Sequence, residues 1–216
     1  MHTSTRRSFL GLGVMTWLAG CARALGVPSG QSESITGLRR VVTGRNREWK
    51  STIVQNGVSP RVVTTETLPG VALVEVWATE ATPAMPVAPV DIITTMKSFV
   101  PGPGGTRFRI VQFPGVSTRA FDQEAFRREY LAKAPGLAEA MEAHDSGMHT
   151  TDSVDYGVVI SGEITLELDD GATVSLKQGD CVVQNGTRHA WRNSTTTPCV
   201  MAFVLVGAVR EGRHGG

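Results

Sequence analysis

The sequence has no marked excess of charge of either sign and few cysteines. Its 21 Lys and Arg residues nearly balance 20 Asp and Glu residues, which leaves a formal net charge of +1. Nucleic-acid-binding surfaces and acidic interaction tails need charge of one sign, so neither a nucleic acid nor a basic protein partner is indicated. The three cysteines form no C-x-x-C pair, which excludes a metal cluster built from thiolates.

Two enzyme motifs and a membrane span are also missing. The glycine-rich segment 101–105 lies between two predicted strands and has no following Lys-Ser/Thr, so nucleotide binding is not indicated. There is no Gly-x-Ser-x-Gly nucleophile elbow. The apolar segment Leu10–Ala19 is about half as long as a membrane-spanning helix. A hydrophobic share of 41% in 216 residues instead favours one ordinary domain behind a leader.

The N-terminus contains a patterned leader. Residues Ser4–Leu10 resemble a twin-arginine export signal, with paired arginines followed by Phe-Leu. The sequence ending at Cys21 resembles a lipobox, in which Cys21 would be lipidated, and Ala22–Ala24 suits an ordinary signal peptidase. We therefore expect an export signal over residues 1–24 of an exported bacterial protein, periplasmic or lipid-anchored at the cell envelope. The alternative is a chance apolar start on a cytoplasmic protein. We expect contact with a membrane only through the leader or through a lipid on Cys21.

The segment after the leader predicts a tether followed by strands. Residues 25–37 are small and polar and are interpreted as a flexible tether. Residues 82–105 contain five prolines, which disfavour helix and interior strand, so we expect a long loop crossing the surface. Its residues 92–96 would touch a sheet edge. The predicted strands are 38–43, 51–55, 61–65, a central 71–78, and 106–113 with its alternating pattern.

One region has helical character, residues 122–142. Asp122 can cap its N-terminus, and Phe126 and Tyr130 share one face. Pro135-Gly136 interrupts the pattern, which predicts two short helices over 122–133 and 137–143. This insertion would act either as a brace against the following barrel or as a lid over its mouth; the brace is our preferred interpretation.

Residues 144–193 consist of short apolar runs with a glycine in every connection. Strands of four to six residues at this spacing are typical of an antiparallel β-barrel or sandwich. The predicted strands are 156–160, 164–168, 173–176 and 181–184.

This stretch resembles the double-stranded β-helix, or jelly-roll, barrel of the cupin superfamily. The first motif of that family is G-x5-H-x-H-x(3,4)-E-x6-G. Here His149 stands at its first histidine, Asp155 at its carboxylate and Gly162 at its closing glycine. Thr151 occupies the position of the second histidine.

The second motif of the family, G-x5-P-x-G-x2-H-x3-N, is matched more closely. Gly179, Gly186, His189 and Asn193 all stand at motif positions, and Gln184 takes the place of the proline. The resemblance implies a mainly β fold with a short helical insertion.

The domain boundaries follow from the same resemblance. We expect a single cupin domain over residues 38–210, with its core motifs in 144–207 and a tail at 211–216. The resemblance also makes a homodimer through the outer sheet face plausible.

Strand geometry suggests where the metal-binding residue types lie. Side chains an even number of residues apart share one face of a strand, so His149 and Asp155 can both face the barrel interior. Intervening strands would bring His189 beside them. Two imidazoles and one carboxylate suit a divalent Fe, Mn, Ni or Zn ion with open coordination positions. The residues expected to line the pocket are Thr151, Trp191, Asn193, Met201 and Phe203, and those expected to face away are Arg188, Ala190 and Arg192.

Each ligand candidate has a plainer interpretation. His189 could be a buried neutral histidine bonded to a backbone carbonyl, Asp155 could cap a turn, and His149 could be exposed to solvent. Cys181 and Cys199 fall in predicted strands as small buried side chains, and a disulfide between them is open after export.

Three classes of function therefore remain open. The resemblance implies a metal-dependent oxygenase, decarboxylase or isomerase acting on a small organic substrate inside the barrel. A metal-free small-molecule binding protein is the second, favoured by Thr151 at a histidine position. A non-catalytic structural or envelope protein is the third.

Overall fold

The computed structural model describes residues 34–86, 90–116, 122–145 and 147–211. The expected export signal, with Cys21 and both processing sites, lies outside the described residues. So does most of the expected tether. Within the described part, regular structure begins with a 3₁₀ turn at Ile35–Gly37.

The chain forms eleven strands and two α-helices in the part that the structure describes. The strands are β1 (Arg39–Arg45), β2 (Ser51–Val58), β3 (Val62–Thr64), β4 (Ala72–Thr79), β5 (Thr106–Phe113), β6 (Ser153–Ser161), β7 (Glu163–Glu167), β8 (Thr173–Lys177), β9 (Cys181–Asn185), β10 (Ala190–Arg192) and β11 (Cys199–Gly207). The helices are α1 (Gln123–Lys133) and α2 (Leu137–Ala140). The helical insertion predicted from the sequence is therefore confirmed, with a shorter second helix.

Two sheets enclose the barrel interior. The larger has six antiparallel strands in the order β3-β4-β5-β11-β6-β9, and the smaller has the order β10-β7-β8. Apolar side chains of both sheets pack together in one cluster, which contains Met201 and Phe203 from β11 and Ile164 from β7. The predicted jelly-roll fold class is confirmed. Strands β1 and β2 form a separate hairpin.

Burial alternates along β6, whose buried face carries Ser153, Asp155, Gly157 and Val159. Its residues alternate between buried and exposed from Ser153 to Ile160, the pattern of a strand with one face on a core. Gly162, which follows the last residue of the strand, has a φ of 77°. A Cβ at this position would lie 2.5 Å from the carbonyl oxygen of Pro198, so the turn requires glycine.

The two helices brace one side of the barrel. The Asp122 side chain accepts a hydrogen bond from the Ala125 N–H at 2.9 Å and so caps α1. Phe126 and Tyr130 are buried and stack with their centroids 5.1 Å apart. Both belong to an apolar cluster that includes Leu73 of β4. These contacts are those of the brace rather than of a lid.

The proline-rich segment 82–105 differs from the expected surface loop. Residues Ile92–Thr94 form a 3₁₀ turn. Ile93 and Phe99 are completely buried in the same apolar cluster as the helices. Burial of two large side chains stabilises the segment against the core, and this outweighs the poor helix and strand propensity of its prolines.

Cys181 and Cys199 are both free thiols. Cys199 is buried, as expected, but Cys181 is exposed because it lies on β9, at the edge of the large sheet.

No helix among the described residues is both long enough and apolar enough to cross a membrane.

Candidate functional site

His149 and His189 meet across an isolated antiparallel bridge. The His149 N–H donates to the His189 carbonyl at 2.9 Å, and the His189 N–H donates to the His149 carbonyl at 3.0 Å. The ring centroids lie 4.2 Å apart. The two halves of the C-terminal region therefore do bring one imidazole each to a common place.

Both imidazoles are held in the same tautomer. Nδ1 of His149 lies 2.8 Å from the Gly147 carbonyl oxygen, and Nδ1 of His189 lies 2.9 Å from that of Thr187. A carbonyl can only accept, so each Nδ1 donates its proton and each neutral ring keeps a lone pair on Nε2. Burial, with repulsion from His189, lowers the pKa of His149 to about 4. Burial also lowers the pKa of His189.

Three side chains on the inner face of β6 and the residues before it form a hydrogen-bonded chain. The Ser153 hydroxyl lies 2.6 Å from Oδ1 of Asp155 and 2.9 Å from the Thr151 hydroxyl. All three residues are buried. Since Ser153 has one proton, donation to the Asp155 carboxyl requires that it accept from the Thr151 hydroxyl. Burial raises the pKa of Asp155, and the Ser153 hydrogen bond and the nearby Arg109 oppose this shift.

The three predicted metal ligands fit a metal ion in part. His149 and His189 have the tautomer of metal-bound imidazoles, in which the second ring nitrogen bonds a carbonyl. Asp155 is near enough to His189 to influence its pKa. Among the residues that the structure describes, however, no three His, Cys, Asp or Glu side chains converge as a complete ligand set. Of the predicted ligands, only the two histidines are therefore close together with a suitable tautomer.

Arg109 and Glu75 were not identified as site residues from the sequence. Arg109 lies on the inner face of β5, and its Nε is 2.8 Å from Oε1 of Glu75 on β4. Its guanidinium also donates to the Phe99 carbonyl and lies over the Phe99 ring. The charge of Arg109 acts on both His149 and Asp155. One feature of the sequence could have identified Arg109 as a buried residue: in the alternating pattern of residues 106–113 it shares its strand face with apolar residues.

The expected pocket-lining residues behave in two ways. Trp191 packs edge-on against His189 with centroids 5.8 Å apart and also contacts Phe203. Met201 and Phe203 are buried in the same cluster. The side-chain amide of Asn193, in contrast, is hydrogen-bonded within the loop that follows. It donates to the Thr197 carbonyl and accepts from Thr195. It closes a turn instead of lining the site.

The residues expected to point away from the interior form ion pairs, with one exception. Arg188 pairs with Glu142, and Arg192 pairs with Glu167. Ala190 has no exposed surface, because a small side chain on this short strand is covered by its neighbours.

A cleft of about 860 Å³ lies elsewhere, between the β1–β2 hairpin and the outer face of β4 and β5. Its walls include Val54, Trp77 and Phe108. None of the predicted ligands lies on it.

Comparison with known proteins places a family domain over the site. Residues 137–206 match the family model of the cupin domain. This range contains His149, Asp155 and His189.

Relatives with curated descriptions are fungal. Phomopsin biosynthesis cluster protein C' of Diaporthe leptostromiformis is 36% identical over 131 residues, which cover 58% of this chain and 58% of that protein. A cupin-domain-containing oxidoreductase of Hypocrea virens is 45% identical over 64 residues, which cover 28% of this chain and 33% of that protein. The chain thus spans less than two thirds of either relative.

Among solved structures, an RmlC-like cupin family protein from Methanocaldococcus jannaschii with a double-stranded β-helix fold matches with a TM-score of 0.32. It is 14% identical, and the match covers 47% of this chain and 70% of that chain.

Proposed function

We propose that this protein is an enzyme that acts on a small organic molecule at the His149–His189 pair, which lies within the residues 137–206 that match the family model of the cupin domain. The observation that supports this most strongly is the pairing itself: two neutral imidazoles with their Nε2 lone pairs uncommitted to the backbone. Each Nε2 therefore keeps a lone pair with which it can bind a metal ion or accept a proton from a ligand.

The proposal includes a divalent metal ion, Fe, Mn, Ni or Zn. His149 and His189 would supply nitrogen ligands, and Asp155 would supply an oxygen ligand. When bound, the ion would polarise a substrate oxygen. Ser153 orients the Asp155 carboxylate through its 2.6 Å hydrogen bond, and Arg109 adds positive charge near both ligands.

The reaction class is proposed from the relatives. One of them carries the description of a cupin-domain-containing oxidoreductase, which favours oxidation or oxygenation over the decarboxylase and isomerase reactions that the family resemblance also implies. The apolar cluster around Met201 and Phe203 borders the site and would exclude water from a bound substrate.

A metal-free binding protein is the second candidate. Thr151 stands at the position of a family histidine, and its hydroxyl is already engaged with Ser153. A site with one fewer nitrogen ligand would suit recognition of a small polar molecule by hydrogen bonds.

Metal analysis tests the proposal. The purified protein is incubated separately with Fe, Mn, Ni and Zn, passed through a desalting column and assayed for metal per chain. We expect close to one equivalent for the preferred ion and loss of that ion in His189→Gln, with unchanged circular dichroism. Asp152→Asn is the matched control, because Asp152 is exposed and pairs with Arg210. Folded wild-type protein without stoichiometric metal would refute the metal-dependent function and leave the binding protein.

We also propose that the protein is a homodimer. The outer face of the large sheet carries paired apolar residues that are exposed on four adjacent strands: Phe108, Val204, Tyr156 and Val183. A continuous apolar face of this kind marks an interaction surface.

A further inference from the structure

Gln184 has a buried amide that is only half used. It lies on β9 with 4% of its surface exposed. Its Oε1 accepts a hydrogen bond from the Thr187 hydroxyl at 2.5 Å. Its Nε2 has no hydrogen-bond partner within the described part of the chain. Exchanging the oxygen and nitrogen of the amide would leave the oxygen unpaired instead, so one end of the group is unused in either orientation.

The position of Gln184 places this unused group at the candidate site. Gln184 is directly paired with Asp155 across β6 and β9, and paired residues of antiparallel strands project from the same face. Gln184 therefore shares the inner face with Asp155 and with the Ser153 hydroxyl bonded to it.

Thr187 connects Gln184 to the second half of the site. Its hydroxyl bonds the Gln184 amide, and its carbonyl accepts from Nδ1 of His189 at 2.9 Å. One residue of the β9–β10 turn thus orients both the free amide and the imidazole. The Thr187 hydrogen bond restricts rotation of the Gln184 amide, and the strand pairing keeps Gln184 beside Asp155.

A buried amide group without a partner destabilises a folded protein. Leucine or methionine would fill the same volume without that cost. A bound ligand that accepts the missing hydrogen bond would explain why such a group is present. Bulk solvent has little access to the group, since the side chain is almost completely buried.

We propose that Gln184 is a substrate-binding residue, and that its Nε2 donates a hydrogen bond to a carbonyl or carboxylate oxygen of the substrate. This inference rests on the proposed small-molecule function of the His149–His189 site. The substrate class is a small carbonyl compound or carboxylic acid. The positive charge of Arg109, which already acts on Asp155, favours the partial negative charge of such an oxygen.

The test combines ligand binding with thermal stability. Gln184→Met keeps the length of the side chain and removes the amide. Binding is measured by calorimetry with acetylacetone, pyruvate and benzoate as probes, on protein free of added metal. We expect at least one probe to bind the wild type and to bind Gln184→Met about tenfold more weakly, the loss of one hydrogen bond. We also expect the melting temperature of the variant to equal or exceed that of the wild type.

Gln178→Met is the matched control, since Gln178 is an exposed residue of the β8–β9 turn. It should leave probe binding unchanged. A lower melting temperature of Gln184→Met with unchanged probe binding would overturn the inference, because Gln184 would then be structural. Absence of binding by every probe to the wild type would overturn it as well.

Failure of the inference is distinguishable from failure of the proposed metal-dependent function. Metal content of the wild type tests the function, and probe binding tests the role of Gln184. A wild type without metal whose probe binding depends on Gln184 would refute the former alone. Stoichiometric metal with probe binding that is insensitive to Gln184→Met would refute the latter alone.

Discussion

His149 and His189 lie directly opposite each other, joined by two backbone hydrogen bonds, with their ring centroids 4.2 Å apart. Because of this contact, repulsion from His189 adds to burial in opposing protonation of His149 and so lowers its pKa. It also means that the ligand geometry depends on the backbone bridge and not on rotamer choice alone.

Metal affinity should depend on the residue that supports Asp155. Replacing an outer partner of a metal ligand typically weakens affinity about 10–100-fold. We therefore expect Ser153→Ala to weaken metal binding by that factor and Asp155→Asn to weaken it further. Competition against a chromogenic chelator measures both. Equal affinity in Asp155→Asn and wild type would remove Asp155 from the ligand set, whereas Asp152→Asn should have no effect.

The stability of the protein should depend on pH through Glu75. Burial raises the pKa of Glu75 from 4.5 to about 6. An acid with a raised folded-state pKa stabilises the folded protein below pH 4.5, and this contribution is lost as the pH rises through 6. The free energy of unfolding of the wild type should fall relative to Glu75→Gln by on the order of 2 kcal/mol between pH 4.5 and 7.

Urea titrations at each pH measure that difference. Glu80→Gln is the control, because Glu80 pairs with the other buried arginine of β5, Arg107, but is itself half exposed. Parallel pH curves for the wild type and Glu75→Gln would mean that Glu75 stays ionised through this range. A pH-independent loss of stability in Glu75→Gln is a separate effect, since Arg109 is left buried without its counter-ion.

The two described cysteines should differ in reactivity. Cys199 is buried, and burial raises the pKa of its thiol to about 11, whereas Cys181 is exposed. The thiolate is the reactive form, so Cys181 should react with Ellman's reagent in the native protein and Cys199 only after unfolding. In a Cys21→Ser background we expect one rapid equivalent, absent in Cys181→Ser. Two rapid equivalents, or none, would contradict the described burial.

The outer sheet face should decide the oligomeric state. A charge placed among its apolar residues would be desolvated on association, so Tyr156→Glu should convert a dimer to a monomer in sedimentation equilibrium. Val209→Glu is the control, because Val209 is exposed but follows β11 outside the sheet. A monomeric wild type would refute the proposed dimer, and a dimeric Tyr156→Glu would place its interface elsewhere.

Much of the local structure could be read from residue order. The alternation in β5 gave the correct bounds of that strand, and the glycines between the apolar runs located the C-terminal strands, because both signals arise within a few residues. The start of β6 was predicted at residue 156, three residues after its observed start at Ser153. Asp122 and Pro135-Gly136 located the helices for the same reason. The exposure of Cys181 could not be inferred in this way, since it depends on β9 being an edge strand.

The apolar runs with their glycine connections and the family resemblance predicted the barrel, and period-two spacing predicted a common face for His149 and Asp155. Only the tertiary structure set His149 against His189, Gln184 against Asp155, and Arg109 against Glu75. The physical reason is the register between strands. A shift of one residue would move every side chain of a strand to the opposite face, and the spacing of residues within one strand does not determine the register between two distant strands.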